Sequence, residues 1–320
     1  MGSDEDSGGT PGTLAGVAGE AITIATANPR NYRDAIADPG AAPTVAIGAT
    51  LFLPSGEANQ PVVIMVPGSL GVGPNHVAHS ETLVAAGFGV LLLDPFGARG
   101  VESTVANQTP YSFAASAHDL LAALRTLREH PLVDGARVNA QGHSRGGSAV
   151  LTAAMRRFAD PIVGVGAGFA GVYAVYPWCG HQFVDAGVGS TAVRAILAEA
   201  DEWCSVQQAQ AQVHAIGRTG ADATVRIVPG AAHSFDRLEP VHELADAAVA
   251  PQAPTVYLAD DGAMIHPHTG DADPALTDLD MFLLAHAAGF TRRGASIGGV
   301  GDQPDVFRAD MLAFHTRTLG

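Results

Sequence analysis

Apolar residues along this chain gather in short, nearly unbroken runs. These are PVVIMVP (61–67), GVLLLDP (89–95), ARVNAQG (136–142), GVYAVYP (171–177), VRAILAEA (193–200) and ATVRIVPG (223–230). Such runs, rich in Val, Ile and Leu, are how strands buried on both faces of a parallel sheet read. TVAIGATLFLP (44–54) alternates in part, which suits an antiparallel edge strand. Between the runs the spacing turns helical over 76–86, 113–129, 148–158 and 206–218, and a last helix is predicted over 305–319. Strand and helix alternate throughout. The expected fold class is therefore α/β, a doubly wound and mostly parallel sheet with helices on both faces, in one domain from 21 to 320.

The first 20 residues, beginning MGSDEDSGGTPGTLAG, are poor in apolar residues and predict a flexible tether. A tether of this kind often follows the lipid-bearing cysteine of an exported bacterial lipoprotein, so a lipid anchor and an exported or cell-envelope location are slightly favoured over a cytoplasmic one. An ordinary disordered terminus is the alternative. Net charge is −15, and all 17 basic residues are Arg. A chain this acidic and without Lys lacks the basic surface that phosphates require, so no nucleic-acid partner is expected. Residues 162–180 are uncharged, but several glycines and a proline make them a buried strand with loops rather than a membrane segment. The sequence does not fix an oligomeric state.

In a sheet of this kind ligands sit beyond the carboxyl ends of the strands. The segments found there are PGSLG, DPFGARG, HSRGG, PWCGH, ADEWC and GAAHSFD. The most informative is GHSRG at 142–146. A serine between two glycines, in the turn from strand to helix, has its hydroxyl lifted clear of the backbone, and a Cβ at either glycine would collide with a neighbouring element. Ser144 is thus the candidate nucleophile. It needs a base, because a free serine hydroxyl is a weak nucleophile near neutral pH. Of 13 histidines only His233 directly follows an apolar strand in the later part of the chain. The acid that orients it is expected in EADEW, with Asp201 preferred and Glu199 and Glu202 as fallbacks. Asp236 is a rival too close to His233 in sequence to approach from a neighbouring strand. Two backbone N–H groups should stabilise the oxyanion, one from Arg145 and one from the loop after 61–66, at Ser69 or else Leu70.

Together, GHSRGGSAVL, EADEWC and PGAAHSFD resemble the dienelactone hydrolase family of the α/β-hydrolase superfamily, and DPFGARG resembles its loop after the next strand. The resemblance spans about residues 45–240. It implies a serine or cysteine nucleophile with His and Asp, no metal or cofactor, and action on esters or lactones. With Ser144 in the nucleophile position and Pro67-Gly68 in the oxyanion loop, the expectation is a general carboxylic-ester hydrolase working through an acyl-enzyme. A polyester or aromatic-ester depolymerase is the alternative, since cutinases share the GHS elbow and Pro-Gly loop. A catalytically dead scaffold used for binding is an alternative of another class.

Residues 240–304 form an insert before the last helix, expected to give a hairpin and a short helix near the active-site mouth and to shape the substrate pocket. Phe96, Trp178 and Trp203 fall on catalytic-edge loops and are candidate substrate contacts. Cys179 and Cys204 follow different strands at the same edge, so a disulfide is expected, two free cysteines being the alternative. His266 and His268, with nearby acids, match no closed zinc pattern and are expected to be a solvated loop.

Overall fold

The computed structural model describes residues 10–320. The chain opens with a hairpin, β1 (Thr13–Leu14) and β2 (Val17–Ala27), then helix α1 (Tyr32–Ala37) and strand β3 (Thr44–Phe52). It continues with β4 (Gln60–Val66), α2 (Pro74–Ala85), β5 (Gly89–Asp94), α3 (Phe113–Glu129), β6 (Val133–His143), α4 (Arg145–Ala154) and α5 (Arg156–Val163). Next come β7 (Gly171–Val175), β8 (His181–Phe183), β9 (Ala192–Ala198), α6 (Val206–Arg218) and β10 (Ala223–Val228). The final part holds β11 (His242–Val249), β12 (Val256–Leu258), β13 (Met264–Ile265), β14 (Ala272–Asp273), α7 (Asp278–Ala287), β15 (Arg292–Ile297) and α8 (Gln303–Leu319).

Nine strands make the central sheet in the order β1-β2-β3-β5-β4-β6-β7-β9-β10, and the six from β5 to β10 in that order are mutually parallel. Each parallel strand coincides with one of the apolar runs, because a strand covered on both faces can afford no polar side. Helices α2 and α8 cover one face, where Phe307, Met311 and Phe314 pack near Tyr173 and Val175. α1, α3, α4, α5 and α6 cover the other. Ser112 and Ser205 cap α3 and α6 by accepting from the amides of Ala115 and Gln208, which is why both helices begin where their apolar spacing begins. This is the α/β-hydrolase architecture.

Two expectations change at the front of the chain. The tether was expected to run to residue 20, but Thr13–Leu14 and Val17–Ala27 are strands; residues 1–9 lie outside the described part. Ala15 and Gly16 both have positive φ, 47° and 81°, the geometry of a two-residue turn whose twist matches its strands. Leu14 is thereby buried against the sheet. In consequence β3 is antiparallel, as expected, but not an edge: β2 pairs along its whole outer side. The helix after the serine starts at Arg145, as the elbow reading places it, but the helical spacing over 148–158 is broken at Met155, whose extended backbone separates α4 from α5.

Within 240–304, β11 pairs antiparallel with β15 across an intervening stretch that contains α7. β12 and β13 form a hairpin, and β12 joins β8 in parallel. The segment 286–299 is the end of α7 followed by β15. Among the described residues no helix is long and apolar enough to cross a membrane.

Candidate active site

The turn between β6 and α4 holds Ser144 at φ 54° and ψ −113°, a conformation strained for any residue with a side chain. Neighbouring elements impose it. A Cβ on Gly142 would lie 2.0 Å from the Gly146 carbonyl oxygen, and one on Gly146 would lie 2.4 Å from that of Val66. Ser144 N–H donates to the Val175 carbonyl at 2.9 Å, tying the turn to β7.

His233 follows β10 and reaches this serine: its Nε2 stands 2.9 Å from Ser144 Oγ. Its Nδ1 stands 2.8 Å from Asp201 Oδ2. A carboxylate only accepts, so the ring donates from Nδ1, which leaves Nε2 free to accept from the hydroxyl. Asp201 Oδ1 meanwhile accepts from the amides of Trp203 and Cys204, at 2.8 and 2.9 Å. The carboxylate is therefore fixed from both sides. Trp203 stacks on the imidazole with centroids 5.3 Å apart, and Tyr176 meets it edge-on at 4.6 Å. The fallback acids are engaged elsewhere: Glu199 accepts from Gly230 N–H and Glu202 from Ser296 N–H.

Asp236 stands apart as well, in a buried cluster behind the serine. It accepts from His79 Nε2 at 2.7 Å, Asn75 Nδ2 at 2.9 Å and Tyr176 OH at 2.6 Å. Burial alone would raise its pKa, but hydrogen bonding from His79 and the fields of His143 and His79 outweigh that and hold it well below the usual range. Tyr176 OH, donating to Asp236, accepts from His143 Nδ1 at 2.9 Å. The residue before the serine is thus anchored by a polar network that no sequence motif announced, and Tyr176, the residue after β7, takes a positive φ of 35°.

Neither the Arg145 amide nor the Ser69 amide has a hydrogen-bond acceptor among the described residues. The loop bearing Ser69 approaches the elbow closely, since a Cβ on Gly68 would sit 3.1 Å from the His143 carbonyl. Gln108 joins the two sides: its Nε2 donates to Ser69 Oγ at 3.1 Å and its Oε1 accepts from Arg145 Nη1 at 3.0 Å. Nothing in the local sequence NQTP marked Gln108.

Two spaces adjoin Ser144. One, of about 240 Å³, is walled mainly by apolar side chains, among them Phe113, Trp178, Trp203, Val249 and Phe282. Residues 248–290 from the segment after His233 close much of it. The other is small, about 30 Å³, and more polar, with Asn75, His76, Arg237 and Leu244 around the serine and His233. Burial drives His76 down to about 3, so it is neutral; its Nδ1 accepts from Gly73 N–H, which puts its proton on Nε2.

Of the three aromatic residues predicted to contact substrate, Trp178 and Trp203 line the larger cavity. Phe96 does not. It is buried beneath Gly71, edge-on to Tyr111 at 5.6 Å, so the loop after β5 turns it inward to complete a small core. Cys179 and Cys204 are free thiols, both buried, and the expected disulfide is absent. Burial pushes both thiols upward, and the Asp201 carboxylate adds to the effect at Cys204. His266 is half-buried and His268 exposed at the rim of the larger cavity, and neither belongs to a metal-sized cluster among the described residues.

A sequence profile of the dienelactone hydrolase family matches residues 47–257. No curated protein matches significantly. Among solved structures, the fold is similar to the dienelactone hydrolase-like promiscuous phosphotriesterase P91 from metagenomic libraries, with 16% identity, a TM-score of 0.56, and 94% of this chain and 99% of that one covered. It is also similar to the esterase Est22, with 14% identity, a TM-score of 0.53, and 96% and 81% covered. At such identity these likenesses concern the fold, whereas the profile spans about two thirds of the sequence: the chain belongs to the dienelactone hydrolase family of hydrolases.

Proposed function

We propose that this protein is a serine carboxylic-ester hydrolase acting through an acyl-enzyme, with Ser144 as nucleophile, His233 as general base and acid, and Asp201 as the group that fixes the imidazole. The observation that carries the reading is the continuous chain from Ser144 Oγ to His233 Nε2, 2.9 Å, and from His233 Nδ1 to Asp201 Oδ2, 2.8 Å, at the edge of an apolar cavity.

Ser144 Oγ adds to the ester carbonyl as Nε2 takes its proton. The imidazolium that forms is stabilised by Asp201, which stays ionised. Charge developing on the carbonyl oxygen meets the amides of Arg145 and Ser69, whose lack of other acceptors suits that task; one such donor contributes about 3 kcal/mol in the transition state. Collapse of the intermediate expels the alcohol, which takes the proton from Nε2. A water deprotonated by the same nitrogen then adds to the acyl carbon, and collapse releases the acid as Nε2 returns that proton to Ser144 Oγ. The small polar space beside Ser144 has room for such a water. The larger cavity takes the bulkier apolar part of the ester, so residues 240–304 act in substrate selection. Two filled tryptophan positions, Trp178 and Trp203, contact that part.

Replacing Ser144 by Ala should abolish hydrolysis of a short p-nitrophenyl ester while far-UV circular dichroism stays unchanged. Turnover that survives in the folded variant would remove the nucleophile from the account. Labelling of the unmodified protein by a fluorophosphonate, absent in the same variant, separates this reading from that of an inactive scaffold.

A further inference from the structure

The wall of the large cavity contains two charged side chains that the proposed chemistry does not use. Arg145 contributes its amide to the oxyanion, yet the residue is 2% exposed and its guanidinium makes no hydrogen bond to a carboxylate among the described residues. It lies over the rings of Phe113, at 4.2 Å, and Tyr111, at 4.9 Å, and gives only Nη1 to Gln108. Its Nε and Nη2 have no hydrogen-bond partner among the described residues. Asp278, the first residue of α7, is 7% exposed. Its Oδ2 accepts from Phe113 N–H at 2.8 Å, while Oδ1 has no hydrogen-bond partner. His181 Nδ1 stands 3.7 Å from Oδ1, beyond hydrogen-bond reach, and burial keeps that imidazole neutral, at about 3. Arg145 and Asp278 feel each other's charge but do not close into a pair.

Buried polar groups are almost always satisfied, and those of a binding cavity are the ones a ligand completes. The two orphans have opposite requirements: Arg145 offers hydrogens and Asp278 Oδ1 asks for one. A second carboxylate would be drawn by Arg145 but repelled by Asp278, and an ammonium would meet the reverse. A neutral hydroxyl suits both, its oxygen accepting from the guanidinium and its hydrogen going to the carboxylate. The rest of the wall is largely apolar: Phe113 and Trp178 stack at 4.3 Å and 22°, Trp203 and Phe282 add further rings, and aliphatic residues such as Val249 and Met281 fill between them.

We propose that the part of the ester seated in this cavity is an aromatic ring bearing a hydroxyl, and that Arg145 and Asp278 together select it. The word "ester" rests on the hydrolase reading above; the binding preference does not. It is tested by calorimetry with 4-ethylphenol and ethylbenzene as probes of the unmodified protein, which needs no turnover. 4-Ethylphenol should bind about tenfold more tightly or better, as expected for a hydrogen bond to a charged group. Asp278→Ala and Arg145→Met should each reduce that preference to about threefold or less, whatever they do to the absolute affinity. Equal affinity of the two probes for the unmodified protein overturns the proposal even where a variant fails to fold. A preference undiminished in either folded variant overturns it too. Loss of the esterase reading would show separately, as turnover that persists in Ser144→Ala.

Discussion

The substitution Asp201→Asn isolates the proposed orienting acid from everything else in the site. The side chain is isosteric, and the surroundings decide how the amide must lie. Trp203 and Cys204 donate two backbone N–H groups to Oδ1, so the amide oxygen has to take that place. The amide nitrogen then faces His233 Nδ1, where Asp201 Oδ2 stands now at 2.8 Å. An amide nitrogen donates, so the imidazole must present an unprotonated Nδ1 and carry its hydrogen on Nε2. That hydrogen points at Ser144 Oγ, and the ring can no longer take the serine proton. A tautomer reversal of this kind lowers kcat about 10³–10⁴-fold, about 4–5.5 kcal/mol of transition-state stabilisation at roughly 1.4 kcal/mol per tenfold. Stability should change by no more than about 1 kcal/mol, because both backbone amides keep an acceptor and the shape is unaltered. The assay is initial-rate hydrolysis of a p-nitrophenyl ester, with urea unfolding as control and Glu199→Gln and Glu202→Gln in parallel. Those two should retain activity within about tenfold, since their carboxylates bond backbone amides away from the imidazole. Asp201→Asn with near-normal kcat, or a large loss in either glutamate variant instead, would refute the assignment of the acid.

Other consequences concern buried titratable groups. Without reductant, the denatured protein should show two reactive thiols by Ellman's titration, and the native protein should react slowly even near pH 8, since both thiols are buried and held protonated; zero thiols after denaturation would restore the disulfide. Burial raises Asp278 from 3.8 to about 6. The native state therefore binds this proton more tightly than the unfolded chain, and the cost of its charge is fully present above pH 6 and vanishes below pH 4. Asp278→Asn should accordingly be stabilising relative to the unmodified protein at pH 8, by up to about 3 kcal/mol, and the gain should fade as pH drops from 6 to 4. Urea unfolding at both ends of that window checks it, and a difference independent of pH would contradict the argument.

The sequence alone determined whatever depends on neighbours along the chain. A strand covered on two faces must be apolar throughout, so the six parallel strands were legible as runs, and α3 and α6 were legible to the residue from their helical spacing. The elbow was legible from its spacing, although only Gly142 answers to a neighbour four residues on, Gly146, whereas Gly146 itself answers to Val66 on the adjacent strand. Position after a strand singled out His233, and Asp201 stood among only three acids. Tertiary packing decided what no local pattern encodes. The hairpin of β1 and β2 looked like tether because its glycines and alanines carry little periodic signal, and only pairing with β3 makes it a sheet. Phe96 looked like a pocket residue from its place at a strand end, but its direction is set by Gly71 and Tyr111, far away in sequence. Cys179 and Cys204 share an edge without sharing a bond, since edge position constrains neither the direction nor the reach of a side chain. The cavity itself is assembled from α4, β8, α7 and the β11 region, and Arg145 and Asp278, each with unsatisfied atoms, line it from positions 133 residues apart in the chain. Backbone geometry is a local property and shows in the sequence; the company a side chain keeps is a property of the folded whole.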